Sequence, residues 1–236
     1  MSKRGSKPEE VVKKPLKKIL MIHGYRQTEK SFREKTGGLR KSLKNQADFI
    51  FCEAPHIVLK REDEFGEDSN QENIDEKGWW FSSENKSYNA QLETNCDLGF
   101  EESLQYLDNV FQTQGPFDGI LAFSQGACLG SVLCKISKLN QTDEINKFKN
   151  IKFNFAILVA GFKSGQTQHD FYYEQKIDFP TLHIIGETDK VIPKDMSEKL
   201  LNYFVEPKVF VHTGGHFVPV NADAKNSIIN FLNSIN

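Results

Sequence analysis

The sequence predicts an α/β protein with a mainly parallel central sheet and helices on both faces. Short apolar runs, typical of strands buried on both sides, alternate along the chain with longer segments of helical spacing. This alternation indicates βαβ units and therefore parallel strand pairing. At 236 residues the chain fits one domain that can bury a core without disulfides. Ligands in such sheets bind at the carboxyl ends of the strands, so we expect a functional site there.

The individual elements follow from residue type and spacing. Runs rich in Ile, Leu, Val and Phe predict strands at 18–22, 48–52, 119–123, 153–159, 181–185 and 208–211. Apolar residues three or four positions apart predict helices at 29–45, 98–111, 127–139, 194–204 and 222–235. Gly37-Gly38 is expected to break or bend the first helix.

Two segments do not fit this alternation. Residues 1–17 are basic and nearly devoid of apolar side chains, so we expect a disordered N-terminal arm before a single domain over residues 18–236. Residues 57–97 form a long insertion with an acidic tract and the aromatic run Trp79-Trp80-Phe81. An insertion of this length is a candidate lid. Its three adjacent rings should either fill the core or line a site, because exposing them to water is costly.

Composition excludes several classes of protein. A net charge of −2 argues against a dedicated nucleic-acid partner. The four cysteines show no zinc spacing, so we expect reduced thiols, no metal and no cofactor. We find no apolar run of 18 residues and no signal-peptide core, which predicts a protein without a membrane span. We expect a cytoplasmic location, and the basic arm keeps a nuclear address open as an alternative.

The stretch around Ser124 is typical of a nucleophile elbow. An apolar strand stops at this serine and a helical pattern resumes immediately after it. Ala122 and Gly126, two positions to either side, supply the small side chains that such a tight strand-to-helix turn needs. The turn would place the serine hydroxyl at a helix N-terminus, where developing negative charge is favoured. The alternative is an ordinary strand-to-helix turn capped by serine.

An acid and a histidine follow this serine in the chain. Asp189 lies in the short loop after the strand at 181–185, and His216 follows two glycines after the strand at 208–211. The order Ser124, Asp189, His216 is that of the α/β-hydrolase fold and not that of the two other well-known serine-triad folds. We therefore predict that these three residues form a catalytic triad.

Each residue of the predicted site has a distinct task. His216, with an ordinary pKa of about 6.5, would act as the base that activates the Ser124 hydroxyl. Asp189 would hold the imidazole in the required tautomer. A tetrahedral oxyanion needs two fixed donors, and we assign these to the backbone N–H groups of Gln125 and Tyr25.

The other histidines are assigned to structural roles. We expect His212 and His183 to be buried in or near strands, and His23 to brace the loop that carries Tyr25. His56 and His169 are loop residues with no evident partner.

Six motifs together resemble a known family of serine hydrolases, the LovG-type family that also contains the ovarian cancer-associated protein 2 esterase. They are Phe32-Arg33-Glu34-Lys35-Thr36-Gly37, Gly78-Trp79-Trp80-Phe81-Ser82, Gly115-Pro116-Phe117-Asp118-Gly119, Phe123-Ser124-Gln125-Gly126-Ala127, Thr188-Asp189-Lys190-Val191-Ile192-Pro193 and Gly214-Gly215-His216-Phe217-Val218-Pro219. The similarity covers about residues 18–233. Ala122 departs from the glycine that relatives usually carry, and the acidic tract from Glu62 to Glu76 is expanded.

The resemblance implies an α/β-hydrolase fold and a carboxylic ester hydrolase active on long-chain alkyl esters, with Ser124, Asp189 and His216 as the charge-relay residues. We expect an acyl-enzyme on Ser124 and a small-molecule or lipid-like ester as substrate. Trp79, Trp80, Phe81 and Phe217 are the candidate residues of an acyl groove. Two alternatives remain open: an acyl thioesterase using the same triad, and a non-catalytic binding module that retains the fold.

Overall fold

The computed structural model describes residues 15–59, 76–142 and 147–235. Most of the predicted basic arm (1–17) and most of the acidic tract (62–76) lie outside these ranges. Lys17, which we assigned to the arm, already belongs to the first strand. In the described ranges, no helix has both the length and the apolar character needed to cross a bilayer.

The central sheet confirms the predicted α/β class. Its strands are β1 (Lys17–Ile22), β2 (Ala47–Phe51), β5 (Gly119–Phe123), β6 (Phe155–Val159), β7 (Thr181–Gly186) and β8 (Lys208–His212). They lie in the order β2-β1-β5-β6-β7-β8, and every neighbouring pair is parallel. Two short strands, β3 (His56–Ile57) and β4 (Lys77–Gly78), form a separate antiparallel pair, with β3 at the start of the predicted insertion and β4 near its middle.

Helices cover both faces of this sheet. They are α1 (Glu29–Lys35), α2 (Gly37–Leu43), α3 (Phe100–Gln114), α4 (Gln125–Gln141), α5 (Lys194–Leu201) and α6 (Ala222–Ser234). Side chains alternate between the two faces of a strand. Leu158 of β6 lies against Gly130 of α4, whereas Phe155 of the same strand packs against Phe231 of α6. The two helices therefore lie on opposite sides, as predicted.

The predicted helix at 29–45 is in fact two helices. The side chain of Thr28 accepts a hydrogen bond from the Ser31 N–H in a capping box and so begins α1. Thr36 ends α1: its hydroxyl donates to the Phe32 carbonyl at 2.7 Å, and α2 begins at the next residue. The break occurs where the Gly37-Gly38 pair predicted one.

Candidate active site

Ser124 lies in the turn between β5 and α4. Its backbone angles are φ 55° and ψ −119°, a conformation that few non-glycine residues adopt. The Ser124 N–H donates to the Val159 carbonyl at 2.9 Å, and its own carbonyl accepts from the Ala127 N–H at 2.8 Å. A Cβ at Gly126 would lie 2.3 Å from the His23 carbonyl oxygen, so only glycine fits there.

Asp189 is held rigidly in the loop after β7. Its Oδ1 accepts hydrogen bonds from the N–H groups of Val191 and Ile192, both at 2.9 Å. The side chain is 1% exposed. Because Oδ1 is committed to the backbone, Oδ2 is the atom available to a neighbouring side chain.

His216 bridges the serine and the aspartate. Its Nδ1 lies 2.7 Å from Asp189 Oδ2, and its Nε2 lies 3.0 Å from Ser124 Oγ. With the Nδ1 proton donated to the carboxylate, the Nε2 lone pair is free to accept the serine hydroxyl proton. The ring also packs on Phe123, with the centroids 4.7 Å apart.

A glycine at the end of β7 lets the histidine loop reach the serine. The loop after β8 passes over the last residue of β7, Gly186, where a Cβ would lie 2.6 Å from the Gly215 carbonyl oxygen. The Thr188 N–H donates to the Gly214 carbonyl at 3.2 Å and ties the acid and histidine loops together. Any larger residue at 186 would push the histidine loop away from the sheet.

The segments that carry the two predicted oxyanion donors both adjoin Ser124. Gln125 is the first residue of α4, so its N–H has no acceptor within the helix. Tyr25 follows Gly24 in the loop after β1, and a Cβ at Gly24 would lie 3.2 Å from Ser124 Cβ. The loop that carries Tyr25 therefore contacts the serine directly.

The structure corrects the predicted acyl groove. Trp79 and Trp80 have no exposed surface, and Phe81 is 2% exposed, so none of the three offers a face to a ligand. The three rings fill the core, which is the second of the two outcomes that the sequence allowed. Phe217 differs, because it follows His216 directly and is 50% exposed.

Three other histidines are buried as structural residues. His183 lies in β7 with Nε2 3.1 Å from Thr181 Oγ1, and burial lowers its pKa to about 3. His212 is buried at the end of β8, where its Nδ1 accepts from the Gly214 N–H at 3.2 Å. His23 is fully buried next to the serine, and burial lowers its pKa to about 4.

The structure gives partners to His56 and His169, for which the sequence indicated none. The Nε2 of His56 lies 2.8 Å from the Gly99 carbonyl oxygen. His169 is buried, and its Nδ1 lies 2.7 Å from Ser164 Oγ. The residues around 160–175 show no helical period, which explains why the sequence did not indicate a buried histidine there.

Sequence reasoning missed the role of the Gln125 side chain. Its Oε1 accepts from the Trp79 N–H at 2.9 Å and its Nε2 donates to the Trp80 carbonyl at 2.8 Å. No spacing rule relates residues 46 positions apart, so nothing in a single sequence indicated this contact.

Among the residues that the structure describes, no group of three or more His, Cys, Asp or Glu side chains is placed to hold a metal ion. Of the four free cysteines, three are buried and Cys96 is partly exposed.

The fold resembles solved α/β-hydrolase esterases. The crystal structure of esterase PE8 matches with a TM-score of 0.59 and 15% identity over 93% of each chain. Acyl-protein thioesterase 2 from Zea mays matches with a TM-score of 0.58 and 16% identity, covering 96% of this chain and 97% of the thioesterase. At these identities the similarity shows that the chain has this fold.

Sequence relatives are much closer. Esterase OVCA2 from Danio rerio is 42% identical over 223 residues, covering 91% of this chain and 96% of the relative. Esterase OVCA2 from Xenopus tropicalis is 44% identical over 217 residues, covering 91% of each. The family model described as serine hydrolase (FSH1) matches residues 13–228. The chain therefore belongs to the FSH1 family of serine hydrolases, as its motifs predicted.

Proposed function

We propose that the protein is a carboxylic ester hydrolase that forms an acyl-enzyme on Ser124. The observation that carries the proposal is the His216 ring, which lies within hydrogen-bonding distance of both Ser124 Oγ and Asp189 Oδ2. A nucleophile, a base and an orienting carboxylate in this sequence of contacts are the elements of acyl transfer by serine.

The reaction would proceed in two halves. Ser124 Oγ attacks the ester carbonyl while its proton passes to His216 Nε2, and the resulting oxyanion lies at the N–H groups of Gln125 and Tyr25. The imidazolium, stabilised by Asp189, then gives its proton to the leaving alcohol, and the acyl group remains on Ser124. In the second half, His216 takes a proton from water as the hydroxide attacks the acyl carbonyl. The imidazolium then returns that proton to Ser124 Oγ as the ester bond breaks, and the carboxylic acid is released.

We further propose that the substrates are esters with long acyl chains. With the two tryptophans buried in the core, the groove would depend on apolar side chains at the rim. Phe217 and Val191 are both about half exposed and lie one and two residues from His216 and Asp189. Covering such side chains with an acyl chain removes apolar surface from water, at about 0.8 kcal/mol for each buried methylene.

The test is kcat/KM on p-nitrophenyl esters from acetyl to octanoyl and longer. We expect kcat/KM to rise along the series by at most about fourfold per methylene. Phe217→Ala should lower the octanoyl value more than the acetyl value. Val220→Ala is the matched control, because Val220 is 52% exposed but lies against α2 near Gly38, and it should leave the series unchanged.

Each outcome of this experiment separates one part of the proposal from another. Normal turnover by Ser124→Ala would exclude the acyl-enzyme. A flat or falling series would exclude the acyl groove and leave the triad intact. A kcat/KM at least about tenfold higher for a thioester than for the oxygen ester of the same acid would make the protein a thioesterase, with the same covalent intermediate.

A further inference from the structure

The two expected oxyanion donors belong to different parts of the chain. Gln125 N–H comes from the start of α4, and Tyr25 N–H comes from the loop after β1. Electrostatic stabilisation of an oxyanion depends on donors that are fixed before the reaction. The structure must therefore contain groups that hold this loop and this helix at a constant separation.

The loop is fixed at two successive peptide groups. The Ala54 N–H donates to His23 Nε2 at 3.0 Å, so the ring proton is on Nδ1, which donates to the Gly24 carbonyl at 2.8 Å. This bond orients the peptide whose N–H belongs to Tyr25. The preceding peptide is held at both ends, because the Gly24 N–H donates to Gln27 Oε1 and the His23 carbonyl accepts from Trp79 Nε1, both at 2.8 Å.

The Trp79 indole comes from residues 78–81, which we call the strap. The strap runs between the loop and the helix, and it is bound to both. On the helix side, the Gln125 side-chain amide pairs with the Trp79 N–H and the Trp80 carbonyl. On the loop side, Gly78 lies under the Tyr25 ring, where a Cβ would meet ring carbons at 2.9 Å. Ser103 Oγ of α3 donates to the Trp79 carbonyl.

We propose that Trp79 is a positioning residue of the oxyanion hole, which joins the loop that carries Tyr25 to the helix that begins at Gln125. Its indole N–H holds the loop, and its backbone is held by the residue that supplies the other donor. Trp79 does not touch the substrate, because its side chain is fully buried. The inference rests on the proposed function and specifies how the same site keeps its geometry.

The neighbouring tryptophan provides a matched control. Trp80 is also fully buried and also donates one indole hydrogen bond. That bond goes to Gln166 Oε1 at 3.1 Å and not to the loop that carries Tyr25. Trp79→Phe and Trp80→Phe each delete one indole N–H and a similar volume of buried ring. Only Trp79→Phe removes the hydrogen bond to the His23 carbonyl.

The experiment compares kcat, KM and the inhibition constant of a trifluoromethyl ketone for the purified full-length variants. The ketone becomes a tetrahedral oxyanion on serine and so reports on the donors. We expect Trp79→Phe to lower kcat at least about tenfold, with KM within about twofold and a parallel rise in the inhibition constant. Trp80→Phe should keep kcat within about 1.5-fold of the unmodified protein.

Two results would overturn the inference. One is an unchanged kcat in folded Trp79→Phe. The other is an equal loss of kcat in Trp80→Phe, which would show that both effects come from lost packing. If Trp79→Phe does not fold, Ser103→Ala tests the same strap through one oxygen atom, and kcat should fall about threefold with KM unchanged. An active Ser124→Ala would refute the proposed function instead, independently of either tryptophan.

Discussion

Ser124 occupies a strained backbone conformation that its surroundings enforce. A non-glycine residue at positive φ costs about 1–3 kcal/mol. The Val159 carbonyl holds the Ser124 N–H, while the N–H groups of Ala127 and Cys128 hold its carbonyl. These hydrogen bonds, to the start of α4 and to the end of β6, offset the strain. In this conformation the Ser124 hydroxyl projects toward His216 and away from the sheet.

At the scale of elements, the packing of β5 against α4 accommodates Ala122. The family resemblance predicted glycine at this position, and Ala122 is fully buried. A Cβ at Gly130 of α4 would lie 3.2 Å from Ala122 Cβ and 2.9 Å from Leu158 Cδ2. The missing side chain at 130 thus makes room for the methyl group at 122.

This packing predicts that Gly130→Ala destabilises the protein. In the interior of a helix, Gly→Ala usually adds about 0.8–1 kcal/mol of stability. Here we expect the free energy of unfolding to fall by about 1–2 kcal/mol, because overpacking a filled core outweighs that gain. Urea unfolding measures the difference.

Two further variants control this prediction. The atoms nearest to a Cβ at Gly38 of α2 belong to Val220 and start at an ordinary 3.6 Å, so Gly38→Ala should not destabilise. Adding Ala122→Gly to Gly130→Ala should restore part of the lost stability. An increase in stability on Gly130→Ala alone would refute the packing argument.

At the scale of the whole molecule, three buried histidines make the fold sensitive to acid. Burial lowers the pKa of His23 and His169 to about 4 and that of His183 to about 3. The carboxylate of Asp97 beside His169 opposes this shift without cancelling it. In the unfolded chain each imidazole titrates near about 6.5.

We therefore predict that stability falls as the pH drops from about 6.5 toward 4. In that window the unfolded chain binds protons that the folded protein does not, and each histidine contributes a slope of up to about 1.4 kcal/mol per pH unit. Urea midpoints between pH 7 and 5 should fall less steeply for His183→Gln. Thr181→Val removes the hydrogen bond but keeps the imidazole, so it should retain the full slope. Identical slopes for both variants would contradict this account.

The sequence was sufficient for the fold class and for the approximate position of each strand of the central sheet. Ser124, Asp189 and His216 each follow a strand, and parallel strands bring their carboxyl ends to one edge. Topology alone therefore indicated that the three residues meet. Gly126 and Gly186 also agree with this arrangement, because at each position another backbone segment approaches so closely that only glycine fits.

Local reasoning failed where long-range contacts decide the structure. Adjacent tryptophans such as Trp79 and Trp80 are typical of a ligand-binding surface. Their burial in the core becomes evident only from long-range contacts, the hydrogen bonds of Trp79 to Gln125 and of Trp80 to Gln166. The buried position of His169 depends in the same way on a contact with Ser164 in an aperiodic segment. Such contacts join residues whose proximity exists only after the chain has folded.

The proposed reaction requires that His216 and Asp189 make the Ser124 hydroxyl nucleophilic. Reaction of the folded protein with a fluorophosphonate, followed by intact mass measurement and peptide mapping, tests this directly. We expect one equivalent of adduct, located on Ser124 and lost in Ser124→Ala. A folded protein that takes up no label, or an adduct on another serine such as Ser164, would contradict it.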